Sequence, residues 1–294
     1  MKHGAMNNLV NIDHVEKTLQ DTPLKPVEGS ADDATEVPQY SVPPVHRAFR
    51  LLRHIAQGDP CRNASATARQ LGLNRTTLIR LLHTLEAEGM IESLDGGGSW
   101  QLGPGMIALA ADALKSRSVI RVAQPVMVGL AARLRLSSHL GILDGRDIIY
   151  LLREAPNTHL VSNIREGSRL PAHATTVGRV LLGHLSLEGL RALYGERALD
   201  AYTGKTATTL PDLERQIAAD RAQGFAWSFG NFEAEIGSCA APVFDHRGQP
   251  VAAINVTGPK AQFDPDGAQA ATIREAVINA AAEISAALGH VSRG

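Results

Sequence analysis

The stretch LGLNRTTLIRLLHTLEAEGMIESLDGGGSWQLG, residues 71–103, constrains the fold more than any other. Leu78, Leu81, Leu82 and Leu85 recur at helical spacing, which predicts a helix with one buried stripe. Asn74 stands at its start as an N-cap, and Gly89 closes its end. The stripe leaves Arg75, Thr76, Thr77, Arg80 and His83 on the opposite arc. Past Gly89 the pattern changes: MIESLDGGGSWQLG reads as two short strands around an Asp-Gly-Gly-Gly turn. Upstream, VHRAFRLLRHIAQG sets Val45, Ala48, Leu52 and Ile55 at helical spacing, with Arg47, Arg50 and Arg53 toward solvent. SATARQLG forms a short helix between the two, with Ser65 as N-cap and Gly72 as its stop. Helix, helix, helix and hairpin in this order outline a winged helix-turn-helix over residues 42–104.

A DNA-reading helix needs one face for its own core and another whose donors reach base edges and phosphates in the major groove. Arg75, Thr76, Thr77, Arg80 and His83 satisfy the second requirement, with Asn74 and Ser65 beside them and Ser99 on the wing. Arginine suits bidentate contact with guanine or phosphate, and threonine suits phosphate or a thymine methyl. Two blander readings stand beside this one: the arginines simply face water, or the winged helix binds protein as an adaptor. Residues 42–104 hold seven arginines against five acidic residues. That excess is small, so affinity has to come from placed contacts and self-association rather than bulk charge.

The whole-chain totals exclude other classes. A formal net charge of -1 over 294 residues argues against a protein that coats nucleic acid or anionic lipid uniformly. Cys61 and Cys239 form no metal or disulfide pattern, so no metal, no cofactor and a reducing cytoplasmic compartment are expected. The first 20 residues lack an apolar leader core, and no apolar run is long enough to span a membrane.

Residues 1–41 carry seven acidic residues against three lysines and are broken by prolines at 23, 26 and 38. They read as a disordered acidic arm in which 9–19 forms at most a short helix. MIALAADALKSRS is an amphipathic linker helix, bounded at 105–118. Residues 119–290 alternate helices with strands: AQPVMVGLAARLRL, then SSHLGILDG, RDIIYLLREA and HLVSNI. Helices follow near HATTVGRVLLGHL and over LPDLERQIAADRAQG, then the strand pair GSCAAPVFDHRGQPVAAINVTG and an Ala-rich helix from about Pro265 to Leu288. The hairpin at DHRGQP favours an antiparallel α+β domain over a doubly wound parallel sheet.

With these elements in place, the chain resembles the IclR family of bacterial transcription regulators. The likeness rests on RAFRLLRHIA, ATARQLGLNRTTLIRLLHTLEAEGMI and SWQLGPGMIALA in the first half, and in the second on LPAHATTVGRVLLGHL and GFAWSFGNFEAEIGSCAAPVFDHRGQPVAAINVTGP. It implies an α+β fold in which a winged helix-turn-helix is joined by a linker helix to a GAF-like effector-binding domain. It also implies a homodimer or homotetramer on near-palindromic double-stranded DNA, and a regulator of a catabolic operon that acts as a repressor or as an activator. Matched position by position, Leu160, Asn163, Leu170, Thr175, Thr176, Val177, Ser228, Ile236, Ser238, Asn255 and Thr257 would line the effector pocket. Ser228 and Asn231 replace acidic residues common in the family, and Ser238 displaces a cysteine now found one residue on, as Cys239.

The residue types agree with that pocket. Thr175 and Thr176 stand where a loop becomes a helix, a seat for a carboxylate if their N–H groups and hydroxyls are free. Asn255 and Thr257 share a strand face by the period-2 rule. Hydroxyls and amides among leucines suit a small organic acid, aromatic acids included. The opposing reading makes Thr176 an N-cap and pairs the strand polar groups among themselves. Arg165 and Arg169 flank the loop as carboxylate partners or as ordinary surface arginines, and His173 is expected to bond backbone there. Trp100 and Trp227 are expected to pack. A hydrolase using Cys239 or Ser238 lacks GxSxG and any His/Asp set at fixed spacing.

Overall fold

The computed structural model describes residues 42–94, 96, 98–115, 118–156, 164–195 and 197–291. The arm at 1–41, the last residues of the linker segment, most of HLVSNI, and with it Leu160 and Asn163, lie outside the described residues. The chain divides between Leu102 and Gly103 into two compact units.

The first unit begins with α1 (Pro43–Ala56), whose proline sits in the first turn where its missing N–H is harmless. Leu51, Leu52 and Ile55 are its buried side. The expectation for Val45 and Ala48 is corrected: Val45 is 51% exposed, Phe49 is 53% exposed and Ala48 only half-buried. The buried residues all belong to the last turns of α1, and the helix packs against β2 of the wing. His54 Nε2 meets Asp59 Oδ2 at 2.8 Å and Asp59 Oδ1 accepts from the Cys61 N–H at 2.8 Å, closing the loop after α1.

Helix α2 (Ala64–Gln70) is capped by Asn63, not by Ser65. The Asn63 Oδ1 accepts from the N–H groups of Ser65 and Ala66, both at 3.1 Å, which places Ser65 inside the first turn with its hydroxyl in solvent. Ala68 is buried, and Gly72 turns the chain at φ +61°, a conformation that a side chain would strain. Helix α3 (Arg75–Ala87) starts as the sequence predicts: Asn74 Oδ1 accepts from the Thr77 N–H at 2.7 Å. Leu78, Leu82 and Leu85 are buried and Leu81 is half-buried. The wing is β1 (Ile91–Leu94) antiparallel to β2 (Ser99–Leu102), held down by buried Trp100, whose N–H donates to Pro60 O at 2.8 Å.

The second unit opens with α4 (Pro104–Lys115) and α5 (Ser118–Leu134). The remaining strands are β3 (Ser137–Asp144), β4 (Asp147–Glu154), β5 (Arg169–Pro171), β6 (Ala226–Phe229), β7 (Ile236–Phe244) and β8 (Pro250–Pro259). They form one sheet in the order β5-β4-β3-β8-β7-β6, and every described pairing is antiparallel, as the hairpin predicts. The helices α6 (Thr176–Leu182), α7 (Leu187–Tyr194), α8 (Leu210–Gln223) and α9 (Ala270–Ala287) complete the unit.

The sheet buries both faces. On one, Leu140, Cys239, Val243, Ile254 and Val256 pack with Met127 and Leu130 of α5 and Val277 and Ile284 of α9. On the other, Ile148, Tyr150, Ala240 and Ala253 pack with Val177 and Leu181 of α6 and Leu213 and Ile217 of α8. Helix α6 lies so close to the preceding loop that a Cβ on Gly178 would fall 2.0 Å from Ala172 O, so only glycine fits. Arg179 of α6 is 4% exposed; its Nε meets Asp220 Oδ2 of α8 at 2.7 Å and its Nη2 donates to Trp227 O at 2.8 Å.

Among the differences from expectation are one helix boundary and one whole helix. Helix α9 begins at Ala270 instead of near Pro265, because a 3-10 turn (Lys260–Phe263) and a turn closed by Gly267 N–H to Asp264 O occupy the intervening residues. Helix α7 has no counterpart in the sequence reading, although Ser186 caps it by accepting from the Gly189 N–H at 3.0 Å. Among the described residues no helix is long and apolar enough to cross a membrane.

Candidate functional site

In the first unit, the arc of α3 opposite Leu78, Leu82 and Leu85 is polar and open. Arg75, Thr76, Arg80 and His83 are exposed and Thr77 is half-buried. Among the described residues neither the Arg75 nor the Arg80 guanidinium has an acidic partner, so both are free to meet an anion. His83 sits at the wing end of the helix, with Nδ1 3.8 Å from Glu86 and its ring edge-on to Trp100 at 6.5 Å. Asn74 spends its oxygen on the cap. Ser99 corrects the expectation for the wing: at 2% exposed, its hydroxyl is turned into the domain and not toward a duplex. It starts β2, whose first two residues, Ser99 and Trp100, are both buried.

In the second unit, strand register assembles a polar floor on the face covered by α6. Ser228, Ser238, Thr257 and Ser137 lie side by side across β6, β7, β8 and β3, all buried. The next row runs Ala226, Ala240, Asn255, His139 and Arg153 across the same four strands and onto β4. Hydrogen bonds tie the rows together. Thr176 Oγ1 and Ser238 Oγ are 2.8 Å apart, Asn255 Nδ2 donates to Ser238 Oγ at 3.1 Å, and Asn255 Oδ1 lies 3.0 Å from His139 Nδ1. Three atoms of this floor are buried without a partner among the described residues: His139 Nε2, Thr257 Oγ1 and Arg153 Nε. A polar atom out of water and unpaired costs about 1–3 kcal/mol, so such a group marks a place for water or ligand. Burial pulls the His139 pKa down to about 4 against the pull of Asn255, and the Arg153 charge lowers it further, so its ring is neutral at pH 7. Tyr150 stands edge-on to that ring at 5.6 Å.

The other expected pocket residues divide. Ser238, Asn255, Thr257, Thr176 and Ser228 converge on the floor, although Ser228 Oγ also accepts from the Asn231 N–H at 3.1 Å. Ile236 is half-buried on the same strand face as Ser238, and Leu170 is half-buried on β5. Val177 is fully buried against Gly141, a core contact. Thr175, rather than Thr176, caps α6. Its Oγ1 accepts from the Gly178 N–H and donates to Pro171 O, both at 3.2 Å, so the expected free hydroxyl is corrected to a committed one. Arg169 is exposed and bonded to Asp144 at 2.7 Å and Asp147 at 3.1 Å, away from the floor. His173 bonds backbone as expected, at Asp200 O, 3.0 Å. Trp227 packs on Phe263 and donates to its carbonyl at 3.0 Å. Cys239 points to the opposite face from Ser238, fully buried, and burial raises its thiol pKa well above the ordinary range. A groove of about 490 Å³ near Leu181, His184 and Val251 contains none of these residues.

Sequence reading missed His139 and Arg153. The signal was present in SSHLGILDG, where alternation puts His139 on the face of Ser137 and Gly141, but the partners 116 positions away appear only with the register.

An open basic helix in a winged helix-turn-helix, followed in one chain by an α+β domain with a buried polar floor, defines a helix-turn-helix regulator with a second, sensor-like domain. The IclR helix-turn-helix domain matches residues 44–95, and the C-terminal domain of bacterial IclR transcriptional regulators matches residues 111–286. The chain belongs to the IclR family of bacterial transcriptional regulators. The transcriptional repressor IclR of Escherichia coli K12 is 27% identical to it over 83% of this chain and 89% of that one. A solved transcriptional regulator from Rhodococcus sp. RHA1 is 31% identical, with a TM-score of 0.71 over 84% of this chain and 98% of that one. An IclR homologue from Microbacterium hydrocarbonoxydans, solved in complex with 4-hydroxybenzoate, shares the fold at 24% identity, with a TM-score of 0.71 over 83% of this chain and 98% of that one.

Proposed function

We propose that this chain is a cytoplasmic, sequence-specific repressor of a catabolic operon, released or engaged by a small organic acid. Arg75, Thr76, Thr77 and Arg80 of α3 enter the major groove of a near-palindromic operator, with Ser65 on a phosphate. The observation that carries this reading is the exposure of Arg75 and Arg80 together, unpaired, on the face opposite the leucine stripe. The effector acid rests on the floor of Thr176, Ser238, Asn255 and Thr257, a set of neutral donors and acceptors in which Thr257 Oγ1 has no partner among the described residues. The homologue bound to 4-hydroxybenzoate supports an aromatic acid as one candidate. Self-association into dimers or tetramers would cover Val45 and Phe49 of α1 and Ile107 and Leu109 of α4, all more than half exposed in the single chain.

The test is a gel-shift titration with the DNA upstream of the gene, at several salt concentrations. Wild-type protein should give a specific, salt-sensitive shift, and Arg80→Ala should lose it while keeping its fold and oligomeric state. Specific binding retained in Arg80→Ala would remove α3 as the reading helix and favour a protein-binding winged helix. For the effector, thermal stabilisation by carboxylic acids should disappear in Thr176→Val and Asn255→Leu; a confirmed ligand indifferent to both changes binds elsewhere.

A further inference from the structure

The effector site reading leaves the class of acid open, and the hydrogen bonds around His139 narrow it. Asn255 gives its amide N–H to Ser238 Oγ and turns its oxygen toward His139 Nδ1. An amide oxygen only accepts, so the proton of the neutral ring is on Nδ1. That leaves Nε2 as a bare lone pair, fully buried with its ring and without a donor among the described residues. Next to His139 on β4 stands Arg153, whose Nε is likewise buried and unpartnered and whose guanidinium has no acidic partner among the described residues. On the neighbouring row of the same face, Thr257 Oγ1 is the third unmatched atom.

A simple carboxylate does not fit His139. Ionised acids accept hydrogen bonds and offer none, so a carboxylate placed at Nε2 would set lone pair against lone pair. The lone pair calls for an O–H or N–H, and the cation beside it calls for an anion. We infer that the effector is a hydroxy acid whose hydroxyl donates to His139 Nε2 and whose carboxylate is held by Arg153, with Thr257 completing the hydroxyl's bonds. His139 is then the residue that selects among acids. A site built around a hydroxyl discriminates strongly against the analogue that lacks it, because its own buried partner is left unpaired. This inference rests on the polar floor being the effector site.

Matched acids test it on the full-length protein by calorimetric titration: 4-hydroxybenzoate with benzoate and 4-methoxybenzoate, and lactate with propionate. The hydroxylated member of the pair that binds should do so at least tenfold more tightly, about 1.4 kcal/mol. The methoxy compound, which accepts but does not donate, should bind no better than benzoate. His139→Leu should bring the pair within twofold of each other, and His139→Gln, which returns an acceptor oxygen near Nε2, should restore part of the preference. Arg153→Gln should weaken both acids of the pair equally and leave the hydroxyl preference in place.

Equal binding of hydroxylated and plain acids, with Thr176→Val still weakening both, overturns the inference and keeps the site. Methoxy binding equal to hydroxy overturns it too, because it shows a turned-over Asn255 amide with N–H on His139 Nε2. Discrimination unchanged in His139→Leu means ordered water, not ligand, occupies the lone pair. Failure of every acid to bind the wild-type protein overturns both inference and site. Should His139→Leu not fold, the ¹⁵N resonances of His139 in the wild-type protein decide. An unprotonated Nε2 that shifts on adding the hydroxy acid supports the assignment, and a protonated Nε2 overturns it.

Discussion

The reading helix and the polar floor both hold polar groups without partners among the described residues, and they do so under opposite conditions. On α3, Arg75 and Arg80 stand in water, where an unpaired guanidinium is fully hydrated and costs the fold nothing. On the sheet, His139 Nε2, Thr257 Oγ1 and Arg153 Nε are shut away from water, where each unmet bond costs stability until something fills it. The first arrangement suits a long polyanion that arrives from outside. The second suits a small molecule that is enclosed. Changes in the buried region should therefore show as changes in folding, and changes on the exposed helix should show only as changes in binding.

The buried Arg179–Asp220 pair gives the largest contrast. Asp220→Ala leaves a cation 4% exposed with only the Trp227 carbonyl to face, and should cost about 3–5 kcal/mol in urea unfolding. Asp147→Ala, which takes one carboxylate from half-exposed Arg169, should cost at most about 1 kcal/mol. Equal losses from the two would erase the distinction between buried and open charge on which the comparison stands.

Protonation tests the same floor. The unfolded chain binds a proton at His139 with a pKa near 6.5, while the folded ring resists it down to about 4. The contribution is fully present above pH 6.5 and declines as the pH falls toward 4, by up to about 1.4 kcal/mol per pH unit within that window. His139→Gln should flatten the slope of stability against pH between these values. It should not abolish it, because burial also lowers the pKa values of His173 and His184. An identical slope in the variant would mean that His139 is protonated freely in the folded state and is not sealed in.

How much of this was legible in sequence follows from the same contrast. The α3 face is a local property: a 3.6-residue period fixes which side chains are inward, so Leu78, Leu82 and Leu85 and the outward Arg75 and Arg80 were readable from thirteen residues. The antiparallel sheet was also readable, because DHRGQP sits between two apolar runs. The floor is a non-local property. Its members come from β3, β4, β6, β7, β8 and α6, and only pairing puts Ser228 beside Ser238 or His139 beside Asn255. Family resemblance supplied Ser238, Asn255 and Thr257, but His139 and Arg153 lay outside it. Val45 failed for a related reason: its period was helical, yet among the described residues the buried side chains of α1, Leu51, Leu52 and Ile55, all lie in its last turns.

The exposed side of the comparison makes the converse prediction. Arg75→Ala and Arg80→Ala should leave unfolding stability within about 0.5 kcal/mol of wild type. Each should weaken operator binding by about 1–3 kcal/mol. A residue that reads a base should lose discrimination at one operator position, and one that holds a phosphate should lose affinity evenly and reduce the salt dependence by about one unit of slope. Loss of stability in either variant would show that the helix needs the side chain it presents.

Exposure alone does not separate a contact from a structural part, and the caps of α2 and α3 sharpen that point with the smallest effects. Asn63 and Asn74 are both exposed, yet each spends its side-chain oxygen on helix N–H groups, whereas Ser65 is exposed with its hydroxyl unused for the cap. Asn63→Ala and Asn74→Ala should each cost about 1 kcal/mol of stability, and Ser65→Ala should fall within about 0.5 kcal/mol of wild type. DNA binding should reverse that order for the pair on α2: Ser65→Ala should weaken the complex if its hydroxyl holds a phosphate, and Asn63→Ala should act only through the fraction of folded helix. A Ser65 variant that loses stability as Asn63→Ala does would return the cap to Ser65 and take the phosphate contact away from it.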